Sequence, residues 1–253
     1  YGAGVDHIDV ATARSRGILV SNTPGVVTED TADMVMALIL GVTRRIPQGL
    51  AVMQRGDWHG WSPMANLGGR LGGRRLGILG MGRIGQAVAR RAKAFGLQVH
   101  YHNRKRLRPE VEAELEATYW ESLDQMIARM DIISVNCPHT PSTFHLINAR
   151  RLKLMKPSAV IVNTSRGEVI DTEAAIEALK DGRIGHLGLD VYEEEDEPGF
   201  SQDRSGAIIS DDTFARLLVF PNVLITAHQG FFTQEALDGI AQMTMANLTA
   251  FEV

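Results

Sequence analysis

The stretch Arg75–Phe95, RLGILGMGRIGQAVARRAKAF, admits few folds. A short apolar run, Leu76 to Leu79, leads into Gly80, Gly82 and Gly85, and an amphipathic segment follows. These glycines keep the G-x-G-x-x-G spacing of a dinucleotide-binding strand–turn–helix. The first permits a sharp turn, the second lets a pyrophosphate approach the backbone, and the third lets helix and strand pack closely. The amides around Arg83 and Ile84 stand at the positive end of a helix dipole, which suits a diphosphate. Another apolar run, Leu97 to His102, arrives where a second strand belongs. That context distinguishes the motif from an ordinary glycine-rich turn.

The rest of the chain extends the alternation. Strands are predicted at Ile132–Asn136, Val160–Asn163, Leu187–Val191 and Val223–Thr226. Helices are predicted at Glu110–Ala117, Leu123–Arg129, Ala149–Met155 and Thr172–Lys180, with a last one at Thr233–Phe251. Short apolar strands alternating with helices predict a doubly wound parallel α/β sheet of Rossmann type. Ahead of the glycines, a short helix around Val10–Arg14 and an apolar ILV strand ending at Ser21 are expected. Thr28 is expected to cap a helix over Glu29–Arg45, with acids in its first turn and arginines in its last. That helix is apolar nearly all round and must be covered on every side, either as a core helix or, the reading preferred here, at the interface of a homodimer. Ala51–Leu71, with Trp58 and Trp61, reads as a surface loop.

With 253 residues, 44% of them hydrophobic and 22% charged, the chain can bury a sizeable core. A net charge of −4 gives no reason to expect a nucleic-acid partner, and the longest strongly apolar run, Met34 to Val42, is far below a membrane span. One cysteine, Cys137, cannot form a disulfide within the chain and fits a reducing, cytoplasmic setting. No metal-ligand spacing stands out.

The end of the second strand selects the cofactor. An acid there would bond the adenosine ribose and repel a 2′-phosphate. This strand instead ends His102-Asn103-Arg104-Lys105-Arg106. Asn103 in place of the acid, followed by the Arg104 guanidinium, suits a phosphate dianion, so NADP is preferred and NAD remains possible. Three further polar residues follow predicted strands, where an open sheet has its ligand crevice: Arg166, Glu195 and His228. Such residues are often only caps. Together, though, a guanidinium, a carboxylate and an imidazole are what reduction of a 2-keto acid requires.

The motifs YGAGVDHID, NTPG, LGILGMGRIG, CPHTPSTFHLIN, VNTSRGEVID, GLDVYEEE and ITAHQGFFT occur in one order along the chain. In that order the chain resembles the D-isomer-specific 2-hydroxyacid dehydrogenases over almost its whole length. The resemblance implies that Arg166 binds substrate, that His228 donates the proton, and that Glu195 pairs with it. It further implies that Ala3 and Gly4 bind the substrate carboxylate through their amides. Asp190, Thr164 and Ser165 would lie by the nicotinamide carboxamide, and Cys137 and Pro138 would line the cofactor cleft. Glu193, Glu194 and Glu197 would be solvated bystanders. The implied substrates are small 2-keto acids and the implied products D-2-hydroxy acids.

The resemblance also implies a division of the chain. Residues 1–22 would be a remnant of a flavodoxin-like substrate domain, 23–222 the dinucleotide-binding domain with the interface helix at 28–46, and 223–253 a return to the substrate domain. Several dozen residues would be expected ahead of YGAGVDHID, which leaves open a catalytically weak or silent nicotinamide-binding module, a fragment or a corepressor-like sensor. Gly80–Asp171 is most similar to NADPH-type glyoxylate and hydroxypyruvate reductases. The part from Asp190 onward is closer to fermentative D-lactate dehydrogenases, and Phe231 with Phe232 beside His228 favours pyruvate-like or bulkier substrates.

Overall fold

A computed structural model describes residues 4–5, 7–60, 66–195 and 211–251. Its centre is one parallel sheet of seven strands: β1 Arg75–Leu79, β2 Gln98–His102, β3 Thr118–Tyr119, β4 Ile132–Val135, β5 Val160–Asn163, β6 His186–Leu189 and β7 Val223–Ile225. The spatial order is β3-β2-β1-β4-β5-β6-β7, all parallel. The order reverses between β1 and β4, and a doubly wound sheet opens its ligand crevice at such a reversal, outside the carboxyl ends of the strands.

Side chains alternate between two cores. Leu79, Ile133, Ile161 and Leu187 face one layer. Ile78, Ile132, Val160 and Val162 face the other. Strands covered on both faces read as continuous apolar runs, which is how β4 and β5 were legible.

The first layer holds α6 Leu123–Ile127, α7 Ala149–Leu152, α8 Thr172–Lys180 and α9 Asp212–Leu218. The second holds α2 Thr28–Thr43, α4 Arg83–Ala94 and α5 Pro109–Leu115. α1 Val10–Ser15 and α3 Ile46–Gln54 lie ahead of the sheet in sequence, and α10 Gln234–Phe251 follows it.

Most predicted elements are present within two or three residues of their expected ends, and the exceptions have physical reasons. Residues 18–20 form no strand; they find no sheet edge, and Ile18 and Leu19 stay exposed. Thr28 is not the cap of α2 but its first residue; Val27 precedes it and makes no side-chain cap bond. The helix stops at Thr43, so the two arginines fall just beyond it. The segment read as a loop from residue 51 begins inside α3, which runs to Gln54; residues 61–65, Trp61 included, lie outside the described residues. The two-residue β3, the seven-residue α9 and a 3-10 turn at Gly167–Val169 were too short to give a periodic signal.

Much of the apolar circumference of α2 is covered within the chain itself. Val35, Leu38, Ile39 and Val42 are buried, and Gly188 of β6 lets the helix approach: a Cβ there would stand 3.3 Å from Leu38. Met34 and Leu40 are half-buried and Ala37 is exposed. β7 pairs with β6, so the sheet continues past residue 222, where the dinucleotide-binding unit was expected to end.

Candidate functional site

The glycine turn is built as its spacing predicts. Gly80 has φ 93°, in the region that favours glycine, and its amide donates to the His102 carbonyl at 3.0 Å. A Cβ on Gly80 would meet the backbone of Asn136 and Cys137 at 2.7–2.8 Å, and one on Gly85 would lie 2.3 Å from the Gly80 oxygen. Gly82 differs, because a Cβ there would touch nothing within 4 Å. No packing demand among the described residues explains that glycine, and the open space lies directly at the start of α4. The first amides of a helix lack intrahelical acceptors, and Gly82 caps α4 without a side-chain bond. The turn therefore leaves room for a phosphate group at the start of α4. Arg83, exposed at the helix start, lies beside Gly25, and Ile84 is half-buried.

At the end of β2, Asn103 is half-buried and turns its amide onto the Lys105 carbonyl at 2.9 Å. The three basic residues that follow are not equivalent. Arg106 forks onto Glu112 at 2.9 and 2.8 Å and lies over the Tyr119 ring. Glu112 also takes the buried Tyr101 hydroxyl, and that oxygen receives the Leu107 amide at 2.9 Å. Arg106 thus staples the loop although its side chain is itself exposed, and Arg104 and Lys105 are exposed as well.

Beyond the order reversal, Asn136 and Thr164 follow β4 and β5, and the Oδ1 of Asn136 and Oγ1 of Thr164 are buried without a hydrogen-bond partner among the described residues. Such orphans are costly unless a ligand or water satisfies them. They fit a polar group entering the crevice beside the glycine turn, and a dinucleotide with a carboxamide at one end is such a group. Cys137 is buried beside them and Pro138 is exposed. Burial pushes the Cys137 thiol up to about 11, which leaves it a poor nucleophile. Buried Asn163 organises the next turn, accepting from the Ser165 amide at 3.0 Å and hydroxyl at 2.9 Å and donating to the Arg166 carbonyl at 2.8 Å.

The predicted trio comes together in part on direct contact. His228 Nδ1 meets Glu195 Oε1 at 2.8 Å, and Glu195 Oε2 accepts the Tyr192 amide at 3.1 Å. The bond to Glu195 holds the imidazole above its usual pKa, against burial, with the negative charges of Glu195 and Asp190 adding to it and Arg166 opposing. The Arg166 guanidinium donates to the Ser165 carbonyl at 2.7 Å.

His228 adopts φ 49°, left-handed for a non-glycine residue, and Asp190 fixes it there. Asp190 is buried among donors: the Thr226 hydroxyl at 2.5 Å and the amides of Gln229 at 3.0 Å and Gly230 at 2.7 Å. Asp190 thus orders the histidine loop, a role the sequence reading did not give it.

Two expectations fare differently. Glu193 is not solvated: it is half-buried, bonded to His145 and to the Thr172 amide. Glu194 is exposed and Glu197 lies outside the described residues. Ala3 also lies outside them, and no described hydrogen bond joins half-buried Gly4 to the site. Sequence reasoning missed Asn163, Glu193 and His145. A lone Asn closing the apolar run VIVN was the available signal for the first. Among the described residues no cluster of His, Cys, Asp and Glu could hold a metal ion, and no single helix is long and apolar enough to cross a membrane.

Known proteins resemble this chain over almost its whole length. Residues 36–230 match the family model described as D-isomer specific 2-hydroxyacid dehydrogenase, NAD binding domain. A glyoxylate reductase of Thermococcus litoralis is 44% identical over 99% of the chain and 72% of its own length. The solved pyruvate reductase of Chlamydomonas reinhardtii superposes with a TM-score of 0.88 at 35% identity, covering 99% of this chain and 74% of that one. A D-lactate dehydrogenase from Aquifex aeolicus, solved with NAD and lactic acid, gives 0.87 at 32% identity over 99% and 74%. With the glycine cradle, the parallel order and the orphaned strand-end oxygens, these matches establish that the chain belongs to the D-isomer-specific 2-hydroxyacid dehydrogenase family and carries its nicotinamide-binding domain.

Proposed function

We propose that the protein reduces a small 2-keto acid, such as glyoxylate, hydroxypyruvate or pyruvate, to the D-2-hydroxy acid. The observation that carries this reading is the 2.8 Å pair of His228 Nδ1 and Glu195 Oε1. The nicotinamide supplies a hydride to the keto carbon when bound. Arg166 holds the substrate carboxylate and polarises the ketone, a task suited to a planar guanidinium. His228 gives its Nε2 proton to the carbonyl oxygen, so that hydride and proton complete the alcohol. Glu195 fixes the ring tautomer and favours the charged imidazole that does this. Gly80, Gly82, Arg83, Ile84 and Gly85 form the pyrophosphate cradle; Thr164, Ser165 and Asp190 border the nicotinamide end, with Cys137 and Pro138 as wall. Ala3 and Gly4 offer amides to the substrate carboxylate.

NADPH is the preferred reductant in this reading, because neutral Asn103 and exposed Arg104 replace the acid that would repel a 2′-phosphate. The enzyme works in the cytoplasm as a homodimer. α3 supports the dimer: Ile46, Leu50 and Met53 recur at helical spacing and are each more than half exposed. The test is oxidation of NADPH and NADH with the three keto acids in parallel. Turnover with D-product is expected; a protein that binds cofactor normally yet turns over none of them is instead a silent nicotinamide-binding module.

A further inference from the structure

The turn that carries Glu195 is held by a pair of residues that the proposed chemistry does not use. Glu193 sits two residues earlier. One of its oxygens meets His145 Nε2, and the other accepts the Thr172 amide at 3.1 Å, at the start of α8. His145 is itself tied down. Its backbone has φ 46°, its amide donates to the Glu168 carbonyl at 2.8 Å, its carbonyl accepts from Asn148 Nδ2 at 3.1 Å, and the Phe144 ring stacks on it at 4.0 Å.

The opposite side of the same turn rests on Gly167. A Cβ there would lie 2.1 Å from the Tyr192 carbonyl carbon and 2.3 Å from the Glu193 nitrogen. The Tyr192–Glu193 peptide is thereby clamped between the Arg166–Gly167 turn and the Glu193–His145 link. One peptide earlier, across the Tyr192 α-carbon, the Tyr192 amide donates to Glu195, whose other oxygen meets His228.

We propose that Glu193 and His145 are positioning residues that hold the 191–195 turn so that Glu195 stays against His228. The inference rests on reading His228 and Glu195 as the proton-donating pair. Among the described residues, the charged groups bearing on His228 are Glu195, Asp190 and Arg166; those facing His145 are Glu193 and, at 3.9 Å, Asp171. Neither Glu193 nor His145 acts on the imidazole of His228 directly, so their effect must pass through Glu195.

The test compares Glu193→Ala, Glu193→Gln and His145→Asn with the parent protein; Asn tolerates the left-handed backbone at 145. Three readouts are taken: thermal melting, the pH dependence of kcat and KM, and the NMR titration of the His228 ring, assigned by its loss in His228→Ala. Glu193→Ala is expected to lower kcat at least tenfold, with cofactor KM unchanged and the His228 titration moved to lower pH. Glu193→Gln should restore both, since its amide can accept from Thr172 and donate to His145. His145→Asn should fall between them.

If Glu193→Ala melts earlier while His228 titrates as in the parent, the pair is only structural and the proposal is overturned. Failure of Gln to restore the titration also overturns it, because the charge alone would then matter. Should Glu193→Ala not fold, His145→Asn, which leaves the Thr172 bond in place, carries the same comparison. Normal turnover by His228→Ala would sink the underlying reading of the site, whereas the ring titration tests the positioning independently of turnover.

Discussion

The main-chain amide of His228 donates to the carbonyl of Asp190 at 2.8 Å, while the Asp190 carboxylate takes up the amides of the next two residues. One buried acid thus fixes the backbone on both sides of the imidazole and holds it at a left-handed φ that costs on the order of 1 kcal/mol or more. Asp190→Asn keeps the shape but turns one acceptor into a donor facing an amide. We expect a loss of about 2–3 kcal/mol in unfolding free energy, and a larger fall in kcat than in cofactor affinity. Denaturant unfolding and steady-state kinetics check both; an Asn variant as stable and active as the parent would count against this role.

The His228–Glu195 pair predicts a pH dependence with a definite sign. The folded imidazole is held above its usual pKa chiefly by the bond to Glu195. Its contribution to stability is therefore fully present below the unfolded value of about 6.5, and is lost as pH rises through the folded value. Keto-acid reduction, proposed above to consume the imidazole proton, should fall over the same rise. In Glu195→Gln the bond loses its charge, so the alkaline limb of kcat/KM moves to lower pH and kcat drops roughly 10–100-fold. A limb that stays where the parent has it would assign the proton to another group.

The three glycines of the turn should separate folding from binding. Gly85→Ala forces a Cβ to 2.3 Å from the Gly80 oxygen, a backbone atom that cannot step aside, and should destabilise by about 2–3 kcal/mol or more. Gly82→Ala meets nothing within 4 Å, so its unfolding free energy should stay within about 1 kcal/mol of the parent. Its methyl group instead occupies the phosphate approach, and cofactor affinity should fall roughly tenfold or more. Melting curves and fluorescence titration distinguish the two variants; equal loss of binding and stability in Gly82→Ala would refute the cradle.

What could be read beforehand follows from the range of each interaction. The β1 turn, the buried runs of β4 and β5 and the α8 boundaries are local in sequence, and the structure has them nearly residue for residue. The pairing of Glu195 with His228 spans two strand ends and was reached through resemblance; the structure gives its distance. Asn163 was signalled only by its place at the end of VIVN, and Glu193 was not legible, because its partners, the Thr172 amide and His145, lie 21 and 48 residues away along the chain. Likewise, nothing in the run Arg104-Lys105-Arg106 distinguishes its members until Glu112, one helix turn into α5, claims the last of them.

That claim makes the cofactor prediction sharp. Arg106 is bonded twice to Glu112, so Arg106→Ala should disturb the loop without changing the ratio of NADPH to NADH affinity. Arg104 is exposed beside Asn103, and Arg104→Ala should weaken NADPH roughly tenfold while sparing NADH. Asn103→Asp should go further, because a carboxylate there repels a 2′-phosphate and accepts the ribose hydroxyls, so the preference should reverse toward NADH. Binding of both cofactors to each variant, titrated by nicotinamide fluorescence, decides it. If the parent already prefers NADH, or if Arg106→Ala moves the ratio as much as Arg104→Ala, the phosphate is not read at Asn103 and Arg104.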